Sequence, residues 1–241
     1  MKNKIYPGFA EAVADIPDGA SVMMSWWGIG SCPLNLIMAL RDHGAKQLTY
    51  ISQNTGGTRI VKALLNKPEI AKYLEAMPYI LLKNRQVKKI IVTWGAGTQD
   101  NPVEKMILSG ELAAEIVPLG TLVERIRAGG SGIEAFYTRT GVGTFYEKGK
   151  ETKAINGRKC ILETALRADY GFVRASRADK MGNLYYRLSS RSINPLIAKA
   201  CDTTIAEVDE VVEIGELQTE QIITPGFYID RIVQTPREEF K

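Results

Sequence analysis

Residues Ser21–Gly44, SVMMSWWGIGSCPLNLIMALRDHG, set a pattern that the first half of the chain repeats. Ser21–Ser25 is a short apolar run after the turn pair Asp18-Gly19, and it predicts a buried strand. Trp26–Pro33 reads as a loop. Leu34–His43 has apolar residues at helical spacing and stops at Gly44, a favoured helix terminator. Leu48–Ser52 predicts a second strand, followed by the loop Gln53–Thr58 and a helix over Arg59–Leu65. Pro68–Lys83 adds a less regular helical segment interrupted at Pro78. Lys89–Trp94 predicts a third strand, then a loop (GAGTQDNP), a helix over Val103–Ser109 and a fourth strand at Ala114–Val117. Strand, loop and helix in repetition imply an α/β fold, an open and mostly parallel sheet with helices on both faces. In such sheets ligands bind beyond the carboxyl ends of the strands. Trp26–Pro33, Gln53–Thr58, Gly95–Asp100 and Pro118–Gly120 all fall at that end and are expected to converge.

The second half is richer in strands. Lys153–Ile155 and Lys159–Leu162 flank Asn156-Gly157, the signature of a hairpin on a type I′ turn. Tyr170–Ala175 and Leu184–Arg187 predict strands joined by the turn ADKMGN. A helix over Pro195–Cys201 and strands at Thr203–Val208 and Val211–Ile214 follow. Between the halves lies Pro118–Thr144, PLGTLVERIRAGGSGIEAFYTRTGVGT. Thr121 and Glu124 have capping-box spacing, so a short helix through Leu122–Arg127 is expected. Five glycines among residues 129–143, set around Phe136-Tyr137, predict an ordered binding or interface loop. With no linker and no internal repeat, residues 1–241 are expected to form one domain.

Composition narrows the chemistry. The chain has 241 residues, 45% apolar and 24% charged, a globular balance. The net charge is +4, and the densest basic run, Lys83–Lys89, reads as a solvated helix end before a strand. A nucleic-acid binder calls for a longer basic stripe with aromatics. Cys32, Cys160 and Cys201 are far apart and odd in number, which argues for a reducing compartment and against disulfides or a zinc site. No apolar run has the length of a membrane span. These features together predict a cytoplasmic protein with no nucleic-acid or membrane partner. His43 is the sole histidine and stands at a helix end, so it is expected to cap that end, and Ser-His-Asp, Cys-His or HExxH chemistry within the chain is not expected.

Local readings of the crevice residues stay double. Two adjacent tryptophans on extended backbone cannot face the same way, so one of Trp26 and Trp27 is expected inside and the other at a pocket or subunit contact. Gln53 and Asn54 are neutral amides able to hold a carbonyl or carboxylate oxygen; equally, Asn54 can close an Asx turn on its own backbone. Glu111, Glu115, Glu134 and Glu163 read as surface carboxylates.

Taken together, PLGTLVERIRAGGSGIEAFYTRTGVGT, Gly157–Leu162 with Glu163, ADYGFVRASRADKMGN and TTIAEVDEVVEIGEL with IITPGFYIDRIV resemble the A (alpha) subunit of the family I coenzyme A transferases, of the 3-oxoacid and 3-oxoadipate type. The likeness runs from about Tyr6 to Val233. It implies an open-sheet α/β fold and a homologous partner, the B subunit, in an αβ or α2β2 assembly. It further implies transfer of coenzyme A from an acyl-CoA to a small carboxylic acid, with acyl-CoA as substrate and no permanently bound cofactor. In the family the thioester is attacked by a glutamate of the B subunit, so no catalytic nucleophile is expected on this chain and no metal is required. A hydrolase or lyase on the same fold is the enzymatic alternative, and a non-catalytic acyl-CoA-binding protein the other.

The resemblance implies that Gln53 and Asn54 lie near the reacting acyl group. It also implies that Trp26, Trp27, Gly28, Leu119, Gly129, Gly130, Phe136 and Thr138 line the substrate site. The family's two glycines and phenylalanine after the first strand stand here as Ser25, Trp26 and Trp27, and a later glycine as Ser31. Leu119 replaces a glutamine thought to hold the acyl oxygen. Relative to short members, an insertion lies near Pro68–Leu82. These departures cluster at the expected crevice and imply a more apolar or differently shaped acyl pocket.

Overall fold

The computed structural model describes residues 3–56, 76–94 and 102–236. Eight strands build the main sheet: β1 (Ser21–Met24), β2 (Leu48–Asn54), β3 (Val87–Trp94), β4 (Ala113–Ile116), β8 (Ala168–Asp179), β9 (Leu184–Tyr185), β10 (Cys201–Val212) and β11 (Arg231–Gln234). Seven of them run parallel in the order β11-β10-β8-β1-β2-β3-β4, and β9 pairs antiparallel with β8. A second sheet, β5 (Ala135–Thr138), β6 (Thr152–Ile155) and β7 (Arg158–Thr164), is antiparallel in the order β5-β7-β6.

The period of two in the strands explains why the main sheet is covered twice. Val22 and Met24, Tyr50, Ile90 and Val92, Phe172 and Ile205 face one apolar layer. Helices α1 (Phe9–Val13), α2 (Leu34–His43), α3 (Tyr79–Lys83) and α4 (Pro102–Leu108) cover that face. Met23, Ile51, Ile91, Val173, Ala206 and Ile232 point the other way, under α5 (Leu119–Gly129) and α6 (Asn194–Lys199). Registers are pinned by polar side chains. Asp169 Oδ2 accepts from both the backbone N–H and the hydroxyl of Ser21, each at 2.7 Å, and so fixes β8 on β1. Along β8 and β10, residues 33 apart in sequence are opposite one another, and Arg177–Glu210 (2.9 Å) and Lys180–Glu213 form ion pairs at that offset.

Several expectations need correction. The segments expected at Thr203–Val208 and Val211–Ile214 are one strand, β10. α1 and β11 are elements that the sequence pattern does not announce. α5 is longer than Leu122–Arg127 and has no capping box: Thr121 Oγ1 is buried without a partner, and Glu124 pairs with Arg127 instead. The glycine-dense stretch after it is not one loop. Its first glycines end α5 and form a turn at 130–132, Ala135–Thr138 is a strand, and turns resume at 140–143. The Asn156-Gly157 turn has φ of 50° and 72°, as type I′ requires. The helix at Arg59–Leu65, the first part of Pro68–Lys83 and the loop Gly95–Asp100 lie outside the described residues. Among the described residues no helix is long and apolar enough to cross a membrane.

Candidate functional site

Strands are added to one side of β1 from β2 to β4 and to the other side from β8 to β11, so the β1/β8 junction is the topological switch point. The loop 25–33 leaves β1 there, and two amides at the end of the neighbouring strand hold it. Trp26 N–H donates to Gln53 Oε1 (2.8 Å), and Asn54 Nδ2 donates to the Trp26 carbonyl (3.0 Å). Asn54 Oδ1 accepts from Gly56 N–H (2.9 Å), so the Asx turn forms while the other end of the same amide still reaches the loop. Gln53 is buried, and its NH2 donates to the hydroxyls of Ser25 and Ser192, both at 3.3 Å. These amides shape the site through the backbone they fasten.

Farther along the loop, Gly28 adopts φ 96°, a conformation glycine takes without strain. Its carbonyl accepts from Ser31 Oγ, which in turn accepts from Trp27 N–H. Ser25 Oγ donates to Ser192 Oγ at 3.0 Å. Ser192 sits at φ 36°, ψ −130°, a strained backbone for a residue with a side chain.

A hydrogen-bonded ring closes behind the loop. Buried Asn194 donates to the carbonyls of Ser31 (3.1 Å) and Ser190 (2.9 Å) and accepts from Arg174 N–H (3.3 Å). Arg174 Nε lies 3.6 Å from Glu207, whose carboxylate accepts from the N–H groups of Asn35 (2.9 Å) and Leu36 (3.1 Å) and from Asn35 Nδ2 (3.0 Å). Pro33, the residue before α2, offers no capping side chain, so Glu207 serves as the cap from across the sheet. Burial pushes the Glu207 carboxyl up to about 7, against the pull of Arg174 and of the N–H donors. Burial, and then the charge of Glu207, push the Cys32 thiol well above its ordinary range, which makes it a poor nucleophile. His43 Nε2 bonds to the Ile16 carbonyl at 2.8 Å and is spent on the scaffold.

Sequence reasoning gives Ser192, Asn194 and Glu207 no role. The legible trace is a carboxylate, Glu207, set between the apolar Ala206 and Val208. One tryptophan is inside, as expected: Trp26 is 8% exposed, whereas Trp27 is 62% exposed. Trp27, Trp94 and Leu119 follow or end β1, β3 and β4, so the carboxyl edge of the sheet carries exposed apolar side chains.

The other candidate residues lie elsewhere. Gly129 and Gly130 are at the far end of α5, about 15 Å of helix from Leu119. A Cβ on Gly129 would sit 2.4 Å from the Leu166 carbonyl oxygen, and one on Gly130 would sit 2.7 Å from Lys199 Cβ. Close packing there accounts for both glycines. Phe136 and Thr138 are on β5, opposite Glu163 and Ile161 in the small sheet. Among the surface carboxylates, Glu111 pairs with Arg85 and Glu115 with Arg125, each at 2.6 Å. Glu163 departs from the expected surface position: it is buried and ion-paired with Lys150.

Comparison with known proteins agrees with this architecture. A family model described as Coenzyme A transferase matches residues 7–235. The chain is 40% identical to the A subunit of 3-oxoadipate CoA-transferase from Pseudomonas putida, over 97% of this chain and 94% of that one. It is 41% identical to the A subunit of a probable succinyl-CoA:3-ketoacid coenzyme A transferase from Bacillus subtilis, over 98% and 92%. Among solved structures, a variant of the decarboxylase AibA/AibB superposes with a TM-score of 0.73 at 26% identity, covering 98% of this chain and 84% of that one.

Proposed function

The chain belongs to the coenzyme A transferase family, and from that premise we propose that it is the A subunit of a two-chain enzyme moving coenzyme A from an acyl-CoA to a short-chain or 3-oxo carboxylate. The single observation that carries this, beyond kinship, is a loop at the switch point that is rigidly held yet holds no activated nucleophile. The attacking group then comes from the partner, a homologous B subunit in an αβ or α2β2 assembly.

The steps divide between the chains. A partner glutamate attacks the thioester carbonyl, the CoA thiolate leaves, and an acyl anhydride forms. The thiolate attacks the glutamyl carbonyl of that anhydride, which releases the first carboxylate and leaves a glutamyl-CoA thioester. The acceptor carboxylate reverses the sequence. No step needs a proton donor, which suits a site without a free histidine. This chain's part is to present the Trp26–Gly28 backbone and the Trp27 indole to the acyl group, while Leu119 stands farther along the same carboxyl edge, after β4. Gln53 and Asn54 fasten that backbone, while Gly129 and Gly130 serve packing. Three free cysteines fit a reducing, cytoplasmic setting.

Co-expression with the partner chain, followed by a scan of acyl-CoA donors against carboxylate acceptors, tests the proposal. Borohydride or hydroxylamine trapping should modify the partner and spare this chain. A label on this chain, or transfer by this chain alone, overturns it. The structural likeness to a decarboxylase favours one second reading, a lyase or hydrolase on the same scaffold. That reading requires acyl-CoA consumption with no acceptor present.

A further inference from the structure

The net charge is unevenly placed. Residues 139–159, the turns and outer strand of the small sheet, hold six Lys or Arg and two Glu, an excess of four that equals the net charge of the whole chain. The remaining 220 residues hold 25 of each sign. This part of the molecule attracts anions while the rest is neutral.

Strand alternation puts three of these six cations on one face, together with Glu151, which accepts from the Tyr137 hydroxyl. Thr138 lies opposite Ile161, so Arg139 follows opposite Cys160, and Cys160 lies opposite Lys153 on its other side. Ile155 is opposite Arg158 across the Asn156-Gly157 turn. Arg139, Lys153, Arg158 and Ile155 therefore share a face. Arg139, Arg158, Asn156, Ile155 and Cys160 line a concavity of about 450 Å³ there. The surrounding lysines are partly neutralised, since Lys150 pairs with Glu163 and Lys159 with Glu147. Among the described residues, Arg139 and Arg158 meet no carboxylate. Two guanidinium forks flanking a polar amide and an exposed aliphatic side chain suit a phosphorylated nucleoside: forks for phosphates, amide and isoleucine for a base.

We propose that the basic face of the small sheet, centred on Arg139 and Arg158, is a subsite for the phosphate-bearing nucleotide end of the acyl-CoA substrate. The inference rests on the transferase reading above and adds to it a place for the end of the substrate remote from the chemistry. The long pantetheine arm separates the phosphates from the thioester, so a subsite on a different element from the switch point is what the substrate's shape requires.

The test uses the assembled two-chain enzyme and the double variant Arg139→Ala/Arg158→Ala. Removing each guanidinium should raise the KM for acyl-CoA about tenfold, with kcat unchanged. The same acyl group on pantetheine, which lacks the phosphates, should be turned over equally by both enzymes. Adenosine 3′,5′-bisphosphate, titrated by calorimetry, should bind the wild-type complex in a salt-dependent manner and bind the variant weakly. Restoring charge with Arg139→Lys/Arg158→Lys should recover part of the affinity. An unchanged KM for acyl-CoA, or equal damage to the pantetheine substrate, overturns the proposal. So does competition by inorganic phosphate as strong as by the bisphosphate, or loss of assembly with the partner chain, which would make this face a protein contact. If the wild-type complex transfers no CoA yet binds the bisphosphate through these arginines, the functional reading fails and the subsite stands.

Discussion

Replacing Glu207 by glutamine should remove a pH dependence that this one carboxyl imposes on folding. In the native state burial pushes the group up to about 7, from an ordinary value near 4.5. A carboxyl raised on folding is protonated more readily in the native than in the unfolded chain. Its contribution is therefore most favourable below the unfolded value and is lost as pH rises through the native one. The window is pH 4.5 to 7, and the span of about 2.5 units corresponds to about 3 kcal/mol. The measurement is urea denaturation of wild type and Glu207→Gln at half-unit steps from pH 4.5 to 8, with the difference in unfolding free energy plotted against pH. Wild type should lose stability relative to the variant up to about pH 7, and the difference should then level off. Glutamine can keep accepting from Asn35 and Leu36, but its NH2 opposes Asn35 Nδ2 and Arg174 Nε, so a constant offset is expected beneath the slope. A difference that does not vary with pH would show that Arg174 and the α2 N–H groups outweigh burial, and the reasoning about Glu207 would fail.

Leu119→Gln restores an amide at the carboxyl edge of β4. Acyl preference or turnover should change, by up to about 10²-fold if the amide reaches the acyl oxygen; unchanged rates across a donor panel remove Leu119 from the pocket. Trp26→Ala empties a buried site and should cost roughly 3–5 kcal/mol in denaturation. Trp27→Ala should stay within about 0.5 kcal/mol of wild type while raising KM or weakening assembly, and equal stability losses would contradict the division of the pair. Gly129→Ala and Gly130→Ala should each destabilise by about 1–3 kcal/mol with KM unchanged in the folded fraction. A KM effect without a stability loss would return these positions to the substrate site.

The main sheet is legible because its strands are apolar runs punctuated by glycine, and the Asn156-Gly157 turn because few residue pairs accept two positive φ values. β10 is broken in two by Asp209 and Glu210, charges that read as a turn until Arg174 and Arg177 of β8 are seen beside them. The density of glycine after Ile126 suggests a loop because sequence shows freedom and not crowding, whereas Gly129 and Gly130 are small to let Leu166 and Lys199 approach. At the site, Gln53 and Asn54 stand out because they end a strand. Glu207 and Asn194 escape because their partners, Asn35 and Ser31, are 172 and 163 residues away, and no local pattern encodes such a contact.

The central place of β1 has a bearing on how the chain is made. Synthesis delivers β1 to β4 first, each able to pair with its predecessor through a nearby crossover. The other edge of β1, carrying Val22, Met23 and Met24, stays bare until Ala168 and the strand it begins have left the ribosome. A nascent half-sheet with an uncovered apolar edge is open to pairing with another copy of itself. The double grip of Asp169 on Ser21, at the very start of both strands, then acts as the latch that closes that edge and ends the hazard.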